Sequence, residues 1–91
     1  MRGLPNVECC QPLLDRQLAS IECAATAAGA FPVPVLRLDG SCDEVGIWHR
    51  GEMVGSVFRP KDGGLAIWRT VGKQRRVSDP VEAVQVILKG R

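Results

Sequence analysis

Residues 45–71 read VGIWHRGEMVGSVFRPKDGGLAIWRTV. Three short runs rich in β-branched, aliphatic and aromatic residues, at 45–49, 53–58 and 65–71, are separated by Arg50-Gly51 and by Pro60-Lys61-Asp62-Gly63-Gly64. Apolar runs of this length bounded by glycine and proline read as strands joined by turns. Connections this short join antiparallel neighbours, because a parallel pair needs a crossover of a dozen residues or more. The stretch therefore predicts an antiparallel meander.

On its N-terminal side, residues 35–38 followed by Asp39-Gly40 predict one more strand. Phe31-Pro32-Val33-Pro34 reads as a stiff connector, since proline lacks a donor and forces the preceding residue toward extended geometry. Before it, Leu14, Leu18, Ile21, Ala25 and Ala28 recur at three- and four-residue steps, which predicts a helix over 12–28. Pro12 suits its first turn and Gly29 a left-handed cap at its end. Small side chains at 24–28 would let a neighbour approach that helix closely, which makes it an alternative to the sheet face as a docking surface for a regulatory or accessory role.

On the C-terminal side, residues 74–77 predict an edge strand whose Arg75 and Arg76 oppose edge-to-edge aggregation. Ser78-Asp79-Pro80-Val81-Glu82 is the strongest local signal in the chain. Asp79 can cap the first free N–H groups, Pro80 fits the first helical position, and Glu82 can reach back in a capping box. Val81, Val84, Ile87 and Leu88 form the apolar stripe of the helix that follows, with Lys89 and Gly90 at its end. The expected fold is α+β: an N-terminal helix, an antiparallel meander of three to five strands and a C-terminal helix, with both helices on one face of the sheet. Residues 1–10 are expected to be a flexible lead-in and residues 11–91 a single domain.

The chain has 91 residues, 45% hydrophobic and 24% charged, a composition that supports one core and excludes a disordered chain. No apolar run approaches the ~20 residues a membrane span needs, and Met1-Arg2-Gly3-Leu4-Pro5 lacks the pattern of a secretory leader. A cytoplasmic location without membrane contact is expected, with Cys9, Cys10, Cys23 and Cys42 reduced. The net charge of +2 conceals an asymmetry. Residues 1–45 carry three basic against six acidic groups, whereas residues 46–91 carry nine against four.

Catalysis of the common kinds needs a nucleophile with a base, paired carboxylates or a metal cluster. His49 is the only histidine and has no fixed cysteine or serine beside it. Cys9 and Cys10 are adjacent, Cys23 falls in a helix and Cys42 in a loop, which is not the spacing of a zinc site. The glycines make no phosphate-binding motif. The expectation is a protein that is not an enzyme, with no catalytic, cofactor-binding or metal residues and no small-molecule substrate.

Binding is the remaining class. Trp48 and Arg50 share strand parity, as do Trp68 and Thr70, so both indoles can project from a face the helices leave open, while Ile47 and Ile67 point the other way. The same indoles can instead complete a small core, and a one-residue slip in register would place them on opposite faces. The first alternative makes Trp48, Arg50 and Trp68 anchors for a protein partner or a second copy, since aromatics and arginine are enriched at interface centres. Arg59, Lys61, Arg69, Lys73, Arg75 and Arg76 are candidates for contacting nucleic acid, or else a solvated edge. Strands followed by a helix resemble the integrase arm-binding modules, which lay a sheet in the DNA major groove. This chain inserts residues 72–77 before the helix and lacks their glycine-aromatic turn.

Overall fold

A computed structural model of the chain describes residues 10–70 and 74–89. Strand β1 (Cys10–Gln11) precedes helix α1 (Asp15–Ala27); β2 (Phe31–Leu36), β3 (Cys42–His49), β4 (Glu52–Pro60), β5 (Leu65–Arg69) and β6 (Arg75–Val77) follow, and α2 (Pro80–Lys89) ends the described chain. The five strands β2 to β6 pair in chain order, each antiparallel to the next. The two-residue β1 pairs with the end of β4, Cys10 opposite Pro60 and Gln11 opposite Arg59. The α+β meander with a helix at either end is the architecture the sequence predicts.

Both helices lie on one face. α1 rests on β2 and β3, α2 on β4 and β5, and the two helices touch each other. Ile47 and Val45 of β3, Val57 of β4 and Ile67 of β5 meet Ile21 and Ala25 of α1 and Ala83, Val84 and Ile87 of α2 in one buried cluster. Each isoleucine fully withdrawn from water here contributes about 1.5–3 kcal/mol relative to an exposed one. Of the stripe expected on α1, Ile21 and Ala25 are buried and Leu18 is partly so, whereas Ala28 is exposed.

The helix ends follow local chemistry. Gly29, at φ +79°, ends α1 in a Schellman arrangement: the Ala30 N–H donates to Ala25 O at 2.8 Å and the Gly29 N–H to Thr26 O at 3.1 Å. At α2 the Asp79 carboxylate accepts from the Glu82 N–H at 2.8 Å, and the Glu82 carboxylate accepts from the Ser78 N–H at 2.6 Å. Asp79→Ala removes the cap and is expected to lower the stability of the domain by about 1 kcal/mol, measured by urea unfolding; an unchanged midpoint would show that the cap is dispensable.

β3 begins at Cys42, which the sequence places in a loop, and not at Val45, and two further boundaries differ from expectation for reasons that lie elsewhere in the chain. α1 starts at Asp15, not Pro12, because the Leu13 N–H is bound to Cys42 O at 2.9 Å and Leu14 is extended at φ −73°, ψ 150°. The chain is held to the start of β3 until Gln17 Oε1 accepts the Leu14 N–H at 2.9 Å. The second difference is β2, which begins at Phe31 and takes in the supposed connector. In an antiparallel pair alternate residues direct both backbone groups at the partner. Since Pro32 and Pro34 have no N–H, the ladder to β3 runs through Phe31, Val33 and Val35, opposite Trp48, Gly46 and Glu44. The prolines occupy the outward positions of an edge strand, where no donor is required.

Candidate functional site

The β3–β4 hairpin decides where the tryptophans lie. His49 and Glu52 flank a two-residue turn in which Arg50 (φ 55°) and Gly51 (φ 83°) both have positive φ, the geometry of a type I′ hairpin. Arginine is a poor residue for that position, and Arg50→Asn is expected to raise stability by up to about 1 kcal/mol, read as a higher thermal midpoint. A lower midpoint would mean that the Arg50 side chain makes a contact worth more than the strain.

Beyond the turn, Met53 lies opposite Trp48 but Gly55 lies opposite Ile47, so Val54 is an inserted residue. The bulge lets Val54 join the core while Gly55 turns to α2 and Met53 faces away from the helices. From there the register aligns Gly46, Ser56 and Trp68 across three strands. Trp48 and Trp68 therefore share the helix-free face.

On that face Trp48 is folded back along its own strand. Its Nε1 and the Met53 Cε both lie 3.6 Å from where a Cβ on Gly46 would be, so the nitrogen edge of the indole rests against the sheet. It is 38% exposed, and Trp68, across from Ser56, is half-buried. Beside Trp48 in the register stands Phe31, 69% exposed, followed along β2 by Val33 at 37% and Val35 at 43%. These four side chains form one continuous apolar strip. Monomeric proteins expose isolated apolar side chains routinely but contiguous groups far less often.

One polar pair is buried on the same face. Ser56 Oγ donates to Glu44 Oε1 at 2.9 Å, and both residues are withdrawn from solvent. A buried carboxylate is stable only where such donors replace water. The loop between β2 and β3 is fixed by its own bonds: Arg37 N–H to Ser41 O at 2.8 Å, and the Ser41 N–H and hydroxyl to Asp39 Oδ1 at 2.9 and 2.6 Å. The Ser41 hydroxyl, and then its N–H, hold the Asp39 carboxyl below its ordinary pKa. Arg37 reaches Asp43 in an ion pair at 2.6 Å.

The basic candidates are dispersed. Arg59 is half-buried and donates to Pro12 O at 3.3 Å. Arg69 and Arg75 have the strand parity of the helix-covered face, opposite Gly55 and Ile67, whereas Arg76 lies opposite Ala66 on the helix-free face. Arg76 is paired with Asp62 and donates to Gly63 O at 3.0 Å. That contact lowers the pKa of the Asp62 carboxyl and raises that of the guanidinium. Lys61 is exposed in the β4–β5 turn, and Lys73 lies outside the described residues, as do residues 1–9.

His49 is half-buried at the end of β3, and its Nδ1 is enclosed without a hydrogen-bond partner. Cys23 is exposed on α1; Cys42 is buried, and burial raises its thiol pKa. Among the described residues no group of three His, Cys, Asp or Glu side chains is placed to hold a metal ion, and no helix is long and apolar enough to cross a membrane. The small residues of α1 line an open groove of about 540 Å³ against Val81 and Val84 of α2.

The strip on β2 was missed in the sequence because its prolines suggested a connector. A signal was present: Phe31, Val33 and Val35 alternate with Pro32 and Pro34 at the two-residue period of a strand. Comparison of the chain with protein-family models, with curated proteins and with solved structures gives no match.

Proposed function

We propose that this protein is a non-enzymatic interaction module that holds a protein partner against the helix-free face of its sheet. The observation that carries the reading is the strip Phe31, Val33, Val35 and Trp48, four exposed apolar side chains brought side by side by the β2–β3 register. Large aromatic anchors surrounded by smaller apolar contacts are what protein interfaces use at their centres. Of the two tryptophans, Trp48 is the more exposed and serves as the anchor. Trp68 lies on the same face two strands from Trp48, and Arg50 stands exposed at the tip of the β3–β4 hairpin. Nucleic acid is the less favoured partner, because Arg76 is engaged with Asp62 and Arg59 with the Pro12 carbonyl.

The test compares the tagged protein with its Trp48→Ala and Phe31→Ala variants. A protein recovered with the parent after nuclease treatment is identified, purified and titrated back against all three. Loss of about tenfold or more in affinity for either variant, with thermal unfolding unchanged, supports the reading. Equal affinity of all three proteins overturns it. Recovery of nucleic acid alone, with affinity falling steeply in salt, replaces it with the second partner class.

A further inference from the structure

We propose that Ser78 is a phosphorylation site for a serine kinase with an acidic substrate cleft, and that Arg16 of α1 receives the phosphate. The segment reads Gln74-Arg75-Arg76-Val77-Ser78-Asp79. Arg75, Arg76 and Ser78 are all exposed, and Val77 between them is half-buried. Kinases discriminate among substrates by the pattern of charge around the acceptor. Two guanidiniums two and three residues ahead of a serine suit a cleft lined with carboxylates. No other serine or threonine of the chain has two basic residues in the three positions before it. Behind Ser78 the charge is acidic and already engaged: Asp79 Oδ1 accepts from the Glu82 N–H at 2.8 Å, and Glu82 Oε1 from the Ser78 N–H at 2.6 Å.

The segment lies where the fold yields most readily. β6 has three residues and pairs on one side only, with β5. Of those three, Val77 alone packs against the core, and short edge elements open without unfolding the rest of a domain. The ion pair of Arg76 with Asp62 is exposed. Water screens such a pair, so a carboxylate of the kinase can replace Asp62.

A place for the product is built into the same region. Ser78 lines a cavity of about 250 Å³ together with Arg16, Gln17 and Ser20 of α1 and Gly64 of the β4–β5 turn. In the transfer, Ser78 Oγ attacks the γ-phosphorus of a nucleoside triphosphate, its proton passes to a carboxylate of the kinase, and the nucleoside diphosphate leaves. The new group carries about −1.5 to −2 charge. It is repelled by the carboxylates of Asp79 and Glu82 and attracted by the exposed guanidinium of Arg16, which can hold two phosphate oxygens at once. Arg16 therefore offsets the charge that phosphorylation adds at the start of α2.

The test incubates the folded chain with ATP and purified cyclic-AMP-dependent protein kinase, an arginine-directed serine kinase, and locates the phosphate by mass spectrometry. One phosphoryl group on Ser78 is expected, and none in Ser78→Ala. Arg75→Ala and Arg76→Ala are each expected to slow the transfer about tenfold or more, the effect of losing one charge-assisted contact. All the substitutions are at exposed sites, and each variant is checked by its thermal midpoint. No phosphate on the folded chain, phosphate on another residue, phosphate only after unfolding, or equal rates for parent and arginine variants overturns the site. The second measurement compares thermal midpoints before and after phosphorylation. The modification is expected to lower the midpoint further in Arg16→Ala than in the parent. Equal shifts in the two backgrounds overturn the part given to Arg16.

Discussion

Ile87→Ala is expected to lower the unfolding free energy by about 2–5 kcal/mol, the range for removing a fully buried aliphatic side chain whose surroundings close up only partly. Ile87 is buried on α2 and its branches reach β4, where Cγ2 and Cγ1 lie 3.1 and 3.3 Å from the position a Cβ on Gly55 would take. It joins the C-terminal helix to the middle of the sheet. α2 has ten residues, too few to be stable in isolation, so loss of this contact should loosen the helix along with the core. Denaturant unfolding measures the change. A shift below about 1 kcal/mol would place α2 outside the cooperative core.

Gly55→Ala is expected to cost about 1–3 kcal/mol by overpacking, which for a domain of this size lowers Tm by roughly 4–8 °C per kcal/mol. The added methyl would meet the Trp68 carbonyl oxygen at 2.6 Å as well as Ile87. The carbonyl belongs to the neighbouring strand β5 and cannot move without moving the β4–β5 pairing, so the clash has no inexpensive relief. The double variant separates the two obstructions. If Ile87 is the main one, Gly55→Ala costs less in the Ile87→Ala background, with a coupling of about 0.5–3 kcal/mol; if the carbonyl dominates, the costs add. An unchanged Tm for Gly55→Ala alone would mean that β4 and β5 are less closely apposed than the structure has them.

Gly55 also shows what a sequence conceals. Read in the chain, it is one more glycine within a short strand; its requirement comes from Trp68 and Ile87, thirteen and thirty-two residues away. The prolines of β2 show the converse. Pro32 and Pro34 made the segment read as a stiff connector because proline lacks a donor, yet a missing donor matters to a strand only where the N–H would point at a partner. Whether it does depends on which strand lies alongside, and on which side.

The candidate surface was partly legible for the same reason. Parity along β3 and β5 placed each indole opposite its neighbouring isoleucine, but putting both indoles on one face required the Arg50-Gly51 turn and the Val54 bulge, which together set the register between strands. Phe31, Val33 and Val35 joined them only once β2 was paired with β3. The buried Glu44 and Ser56 pair left no trace in the sequence, since the two residues lie twelve apart and meet through that same register.

The sequence by itself determined the order of elements, the α2 cap at Asp79 and Glu82, the glycine end of α1 and the division of each central strand into two faces, because all of these depend on side chains within a few residues of one another. The tertiary structure decided where α1 begins, that the proline-rich segment is a strand, why Gly55 must be glycine and which side chains form the exposed strip. Those outcomes depend on pairings between residues distant in the chain, and local preference carries no information about which distant partner closes each bond or fills each gap.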